Sequence, residues 1–354
     1  MDNNPNAPTL FEFVRRDDFV AREFGESAML TRMIDFEIAL ADVLERVGLI
    51  PEPTASAAKE NIKEFVPDME LIRECTARDG VPVPELVRQL REVAGEECSA
   101  CLHLGATSQD LIDTALVLAL KSVNSHFASL GKKLDLAFER MESEFGLGEV
   151  MARTRMQNAE PMLAKFRIKS WRRPLLSQLV RLESLRSRLE ALQFGGPTGD
   201  RSRLGHESSE VSRQLASALG IRDPGHAWHA ERGTLAEYAA WNATLAGILG
   251  KFGLDMALMA QMGEISLAHA GSSSSMPHKS NPIRAELLVS LARFSGTLVS
   301  GCHQALVHEQ ERSGSAWMLE WMLLPQICEA TGASLNCAVS LANSVQHFGH
   351  SSKI

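Results

Sequence analysis

The chain has 354 residues, a length that suits one large domain or two to three smaller ones. Apolar residues make up 45% and charged residues 23%, as in ordinary globular proteins, which excludes a disordered or collagen-like chain. The formal net charge of -8 disfavours bulk nucleic-acid binding and leaves room for a local cationic pocket that binds a small anion. The N-terminus lacks the basic and apolar regions of a signal peptide, and the longest dense apolar run, 114–120, is too short to span a bilayer. We therefore expect a cytoplasmic protein with no membrane partner.

The N-terminal third carries prolines at positions 51, 53, 67, 82 and 84. Because proline breaks helix interiors, the helices of this part are predicted to be short. The shift in composition predicts a small N-terminal helical domain, 1–105, followed by a domain of long helices, 106–354.

The remainder of the chain has long stretches without proline that are rich in good helix formers. Alternating strand patterns are nearly absent, so the sequence predicts an all-α fold. The run 111–120 is apolar on almost every side, which indicates a helix that needs neighbours all round. The predicted long helices are 108–123, 159–193 with a kink at Pro174, 234–262, 283–312 and 318–346.

The six cysteines are scattered and carry no secretory context, which predicts free buried thiols in a reducing compartment. Cys98 and Cys101 form a single C-x-x-C pair. A zinc or redox site would need a second pair or a βαβ context, so no metal site is predicted.

The segment 103–110, H-L-G-A-T-S-Q-D, precedes the first long helix and carries a capping-box pattern, with Thr107 followed by Asp110. Plain helix capping explains this pattern. A helix N-terminus also presents free N–H groups and the positive end of the helix dipole, which suits a carboxylate. His103, taken alone, is most simply a structural histidine.

Two further segments carry cations beside polar groups. The first, 153–158, reads R-T-R-M-Q-N and is followed by a basic stretch, 165–173, whose simplest interpretation is a solvated helix face. The second, 271–284, is a serine-rich loop that leads into a helix, where Asn281 would be the N-cap and Pro282 the first helical residue.

These segments carry a family resemblance. The string S-S-x-M-P-x-K-x-N-P at 273–282 closely resembles the signature loop of the fumarase/aspartase superfamily, and 103–110 and 153–157 resemble its first and second active-site segments. Within that superfamily, four segments resemble the 3-carboxy-cis,cis-muconate cycloisomerase family: 81–90, 192–199, 226–232 and 308–321. Adenylosuccinate lyase would be expected to carry His-Asp-Val near 85 and Thr-His at 154–155, where this chain has Leu86-Val87 and Arg155.

The resemblance implies a fumarase/aspartase-like long-helix bundle whose third, C-terminal domain is absent or reduced. It also implies a homotetramer in which the buried helices of four subunits pack together and each active site is shared between chains. The implied activity is the cofactor-free lactonisation of 3-carboxy-cis,cis-muconate in protocatechuate degradation, the β-ketoadipate pathway. Three alternatives stay open: a 3-sulfomuconate cycloisomerase, a fumarate-eliminating lyase, and a helical scaffold with a decayed site.

The resemblance also implies roles for individual residues. By its position in the motif, Ser273 matches the superfamily's catalytic serine and would act as general acid during lactonisation. His103 is the second candidate for proton relay. The expected substrate-binding residues are Thr107, Ser108, Arg155, Gln157, Lys279 and Asn281.

Overall fold

The protein folds almost entirely into α-helices in the computed structural model, which describes residues 12–268, 271–272, 276 and 280–349. The α-helices within these residues are α1 Asp18–Glu23, α2 Glu26–Arg46, α3 Thr54–Ile62, α4 Met69–Asp79, α5 Val83–Ala94, α6 Ser108–Phe145, α7 Ala164–Leu189, α8 Ser208–Ala218, α9 Gly233–Gln261, α10 Ile283–Gln304 and α11 Ser315–Asn343. The prediction of an all-α bundle of long helices is confirmed.

Short strands form three antiparallel pairs at the ends of the helices. The strands are β1 Glu149–Thr154, β2 Gln157–Leu163, β3 Ile265–Leu267, β4 Gly271–Ser272, β5 Ser280–Asn281 and β6 Val345–Phe348. β1 pairs with β2, β3 with β6, and β4 with β5. The predicted helix 159–193 was therefore wrong at its start, because 157–163 belongs to a hairpin and the helix begins at Ala164.

Other predicted helix limits differ from the structure. The helix expected at 283–312 ends at Gln304, and the one expected at 318–346 ends at Asn343, before β6. The N-terminal third was expected to contain only short helices, yet α2 has 21 residues. It lies before the proline-rich part of this region, so no proline interrupts it. Pro174 lies inside α7, and the kink there stays a prediction.

The bundle core is formed by the long helices α6, α7, α9, α10 and α11. Phe252 of α9 meets Phe138 of α6 edge to face at 5.1 Å between ring centroids and lies 5.0 Å from the Trp171 ring of α7. α9 and α10 approach closely because Gly253 lies against α10, where an added Cβ would be 2.6 Å from the Ala285 carbonyl oxygen. By length and composition α9 would also suit a membrane span, and here it packs inside the bundle.

The apolar run 111–120 lies in the N-terminal part of α6 and is buried by neighbours from its own chain. Leu111 and Ala115 belong to a core shared with α2 and α5, whereas Leu120 belongs to the core of the bundle. The expectation that this run has neighbours all round is confirmed within one chain, and the homotetramer stays a prediction. The division into domains 1–105 and 106–354 stays a prediction.

The six cysteines are free thiols, and five of them are buried. Burial raises the pKa of Cys101 to about 11, so this thiol stays protonated near neutral pH. The isolated C-x-x-C pair therefore lies within the N-terminal core rather than at a reactive surface.

Candidate active site

The N-terminus of α6 carries the first predicted site segment. The backbone N–H of Thr107 donates to Asp110 Oδ2 at 3.0 Å, so the predicted capping box is present. Ser108 is the first residue of α6 and is half-buried. The Thr107 hydroxyl also accepts a hydrogen bond from Arg312 Nη1 at 2.7 Å. Arg312 comes from the loop between α10 and α11 and adds a guanidinium to this helix end, which sequence reasoning did not single out.

Asp110 joins three segments at this end of the bundle. Its carboxylate accepts from the backbone N–H groups of Gly195 and Gly196, both at 2.9 Å, and contacts His229 Nε2 at 2.8 Å. Gly196 has φ 68°, and a Cβ there would lie 2.7 Å from the Gly105 carbonyl oxygen. The loop therefore needs glycine at this position, since a side chain would disrupt its contact with the segment that precedes α6.

A buried charge cluster lies one turn further along α6. Arg232 donates to Asp113 Oδ2 at 2.6 Å and to Glu320 Oε1 at 2.9 Å, and Trp317 Nε1 donates to Asp113 Oδ1 at 2.9 Å. Burial by itself would lower the pKa of Arg232, but the two carboxylates outweigh it and raise the pKa above its usual value. Segments 226–232 and 308–321, which the sequence marked only by resemblance, therefore meet beneath the N-terminus of α6.

His103 lies just before α6 and is bound by a residue that sequence reasoning missed. Glu37 Oε1 lies 2.6 Å from His103 Nδ1, and Glu37 Oε2 accepts from the His103 backbone N–H at 2.6 Å. The Glu37 side chain is fully buried, whereas that of His103 is 19% exposed. One sequence signal was available, because Glu37 is an acidic residue on the apolar face of α2 between Met33, Phe36 and Leu40.

The second predicted segment forms the tip of the β1–β2 hairpin. Arg155 and Met156 have φ values of 50° and 66°, so both residues of the turn are left-handed, as in a type I′ turn. Arg155 is exposed and has no partner among the residues that the structure describes, and Gln157 is exposed at the start of β2. An arginine here could instead support the bundle by pairing with a neighbouring acid, but no acid pairs with Arg155 within those residues.

Arg153 is the arginine of this hairpin that has a structural partner. Its guanidinium donates to both oxygens of Glu264, at 2.8 and 2.7 Å, and the Glu264 side chain is only 2% exposed. This ion pair fixes the base of the hairpin to the residues that follow α9. A cavity of about 590 Å³ lies beside the turn, and its cationic lining residues are Arg153, Arg155, Arg167 and Lys251.

The third predicted segment is described only in part. Ser273 and Lys279, the predicted general acid and its neighbouring cation, lie outside the described residues. Asn281 ends β5 and pairs with Gly271. It was expected to be the N-cap of the following helix, but α10 begins at Ile283 with Pro282 as its N-cap, because pairing of Asn281 with β4 keeps it in a strand.

The first segment and the other two lie at opposite ends of the bundle. α6 has 38 residues, so it is about 57 Å long, and it separates Thr107 at its start from the hairpin after its end. α9 gives a second measure: it begins beside the Arg232–Asp113 pair and ends, about 44 Å away, near the Arg153–Glu264 pair. One chain therefore does not bring His103 and Arg155 into the same pocket.

Comparisons with known proteins agree with this fold. A family model described as lyase matches residues 12–294. The 3-carboxy-cis,cis-muconate cycloisomerase of Pseudomonas aeruginosa is 33% identical over 91% of this chain and 72% of the relative. The solved 3-carboxy-cis,cis-muconate lactonizing enzyme from Pseudomonas putida is 32% identical, with a TM-score of 0.89, covering 96% of this chain and 77% of that one. A solved fumarate lyase from Mesorhizobium sp. BNC1 has a TM-score of 0.88 at 28% identity, covering 94% and 76%.

Proposed function

Because the chain belongs to the 3-carboxy-cis,cis-muconate cycloisomerase family of lyases, we propose that it converts 3-carboxy-cis,cis-muconate into a carboxymuconolactone. The observation that carries the proposal is 33% identity to a cycloisomerase over nine-tenths of the chain, together with a matching fold. We call the N-terminus of α6, with Thr107 and Arg312, one half-site and the Arg155 hairpin the other half-site. The helix terminus and the cations of these two half-sites suit a substrate with several carboxylates.

The proposed reaction closes a ring by intramolecular addition. One carboxylate oxygen of the muconate bonds to a carbon of the conjugated system, and the π electrons move into a neighbouring carboxylate to give an aci-carboxylate. A general acid then delivers one proton to the carbon next to that group. The free acids of substrate and lactone are isomers, so the step consumes one proton for the carboxylate that is esterified and needs no oxidant and no group carrier. Donors that face the developing negative charge lower the barrier most.

We propose that the working enzyme is a homotetramer with shared active sites. Support comes from the distance between the half-sites, because a pocket that contains both the α6 N-terminus and the Arg155 hairpin needs at least two chains. In such a pocket, Thr107, Ser108 and Arg312 of one chain would face the hairpin of another. The exposed position of Arg155 at a turn tip suits a group that reaches out of its own chain.

Each residue of the shared pocket has a proposed role. The Arg155 guanidinium would hold one substrate carboxylate through two parallel hydrogen bonds. Ser273, by its position in the motif, would deliver the proton, and Lys279 and Asn281 would stabilise the aci-carboxylate. Gln157 would bind the substrate beside Arg155. His103 would return a proton to the acid after each turnover.

A fumarate-eliminating lyase is the second candidate, favoured by the similarity to the Mesorhizobium fumarate lyase. The resemblance to the superfamily implies that many of its lyases carry a histidine where this chain has Arg155 and use it for a second proton. Lactonisation needs only one proton on carbon, since the attacking group is already a carboxylate. The arginine therefore favours cyclisation of a polyanion over elimination.

The test is a side-by-side turnover assay of the purified chain. We expect the conjugated ultraviolet band of 3-carboxy-cis,cis-muconate to disappear as lactone forms, and the Ser273→Ala variant to serve as the inactive control. Faster loss of the band with 3-sulfomuconate would reassign the substrate to the sulfonate. No reaction with either muconate, together with fumarate release from a succinylated amine or thiol, would overturn cyclisation and establish the lyase.

A further inference from the structure

Glu37 is a buried carboxylate whose two oxygens both bind one residue. Its Oε1 contacts His103 Nδ1 and its Oε2 accepts from the His103 backbone N–H, each at 2.6 Å. The side chain is fully buried in α2, and among the described residues its ion-pair partner is His103. A buried carboxylate is costly unless it is hydrogen-bonded, so these two contacts are what makes the charge tolerable here.

The backbone of His103 is held in an uncommon conformation. Its φ is 62°, in the left-handed region that few residues other than glycine occupy. The carbonyl of the preceding residue, Leu102, accepts from Arg91 Nη2 at 2.8 Å, and Leu102 itself is fully buried. Glu37 thus binds both the backbone and the ring of His103, and the preceding residue, Leu102, is itself held in place by its contact with Arg91. Strained positions of this kind persist where the surroundings over-determine them, often at functional sites.

The contact determines which ring nitrogen carries the proton. An ionised carboxylate only accepts hydrogen bonds, so His103 Nδ1 must be the donor. In the neutral ring, Nε2 then has the lone pair, and it has no partner among the described residues. About a fifth of the His103 side chain is exposed, and His103 belongs to the segment that leads into the N-terminus of α6.

We propose that Glu37 is a positioning residue: it fixes His103 in the Nδ1–H tautomer and so presents Nε2 for proton transfer. This inference rests on the proposed lactonisation. The imidazolium gives its Nε2 proton to the general acid that has just protonated the substrate carbon, which leaves the neutral Nδ1–H ring. A proton from solvent then restores the imidazolium, so the enzyme ends each cycle in its starting state and the proton now on the lactone carbon has come from solvent. The Glu37 carboxylate stabilises the imidazolium form in each cycle.

Substituting Glu37→Gln reverses the tautomer for a stereochemical reason. The backbone N–H of His103 is always a donor, so it takes the amide oxygen of the glutamine. The amide N–H₂ then faces Nδ1, which must become an acceptor, and the ring proton moves to Nε2. The side chains are of equal size, so the packing of α2 changes little.

The first measurement is the tautomer itself, on the full chain labelled with ¹⁵N-histidine and sedimented for solid-state NMR. The His103→Gln variant identifies the His103 signals by their loss. At alkaline pH we expect Nδ1 to be protonated in the native chain and Nε2 in Glu37→Gln. A native ring that carries its proton on Nε2, or a Glu37→Gln ring with an unchanged tautomer, would overturn the proposal.

The second measurement is kinetic. Glu37→Gln should lower kcat by about 100-fold or more while KM stays within about threefold, since proton transfer contributes roughly 10²–10⁴-fold. Glu37→Asp keeps the charge and should recover part of kcat. Glu85→Gln is the matched control, because Glu85 is also a buried carboxylate but pairs with Arg88, and it should leave kcat unchanged.

The two measurements separate the possible failures. A Glu37→Gln protein that melts earlier but keeps its kcat in the folded fraction would reduce Glu37 to a structural role. If the native chain turns over no muconate at all, the proposed function fails, and the NMR result still decides whether Glu37 sets the tautomer.

Discussion

The hairpin tip allows a sharp test, because two arginines two residues apart have different surroundings. Arg155→Lys keeps the positive charge and loses the planar two-point geometry. The Arg155 guanidinium is proposed to donate two hydrogen bonds to one substrate carboxylate, and lysine would keep only one of them. A hydrogen bond to a charged group contributes about 1.5–3 kcal/mol, so the substitution should raise KM by about 10- to 100-fold. The effect on kcat should be smaller, because the clamp binds substrate and transition state alike. Arg155 is exposed and unpaired among the described residues, so the free energy of unfolding should change by less than about 0.5 kcal/mol.

Arg153→Lys is the matched control. Arg153 binds both oxygens of the buried Glu264, and lysine would keep one contact. Glu264 would keep a second cation nearby, because Arg167 lies 3.7 Å from its Oε2, and Arg153 itself is 22% exposed to water. The free energy of unfolding should therefore fall by only about 1 kcal/mol. For a chain of this length that lowers Tm by about 1–2 °C, from an unfolding entropy near 2.1 cal/mol/K per residue. KM should stay close to the native value.

Steady-state kinetics and a thermal melt on the same preparations decide between the two roles. If the Arg155 guanidinium holds a substrate carboxylate, Arg155→Lys should raise KM and leave Tm unchanged. Arg153→Lys should lower Tm and leave KM unchanged. A drop in Tm without a change in KM for Arg155→Lys would refute the reasoning and give Arg155 a supporting role. Arg155→His should not recover cyclisation, because the missing function is an anion clamp and not a second base.

Three further predictions concern other parts of the chain. Ser273→Ala should lower kcat at least tenfold and leave substrate binding nearly intact, whereas Lys279→Ala should weaken both, as isothermal titration and single-turnover kinetics would show. Refolding a mixture of inactive His103→Gln and Arg155→Ala chains should restore part of the activity; a mixture as inactive as its components would contradict shared sites. A neighbouring guanidinium lowers the pKa of Glu85 from 4.5 to about 2, so the stability it contributes is present above pH 4.5 and lost as the pH falls toward 2. Urea midpoints should fall less over that range in Glu85→Gln.

The start of α6 could be predicted because its signals are local. A capping residue, an acid three positions later and an apolar run lie within a dozen residues, and each one favours a helix by itself. The β1–β2 hairpin could not be predicted in the same way. Its second strand has five exposed residues in a row, so no alternation of apolar and polar residues marks it. Its turn is Arg155-Met156, where the usual signal would be Asn-Gly.

The Glu37–His103 contact lay beyond sequence reasoning for a different reason. The two residues are 66 positions apart, and the packing of α2 against the segment before α6 brings them together. The same holds for Arg312 and Thr107, which are 205 positions apart. Motif resemblance marked His103 and Thr107 as site residues, marked Arg312 only as part of segment 308–321, and did not mark Glu37. Glu37 and Arg312 are charged residues that no local motif distinguishes from other charged residues of the chain. Only their positions, on the apolar face of α2 and in the loop before α11, set them apart.

The proposal of a divided active site rests on the length of the long helices. A helix of 38 residues places its two ends farther apart than any small substrate can span, and both ends carry groups suited to anions. In the proposed enzyme, each chain would therefore contribute one half-site for proton relay, with Glu37 and His103, and one half-site for clamping, with Arg155. In a closed symmetric assembly, every relay half-site can face a clamping half-site of another chain, so the number of complete sites equals the number of chains. Dissociation would then remove activity without unfolding the helices, because the core of each chain is formed by its own residues.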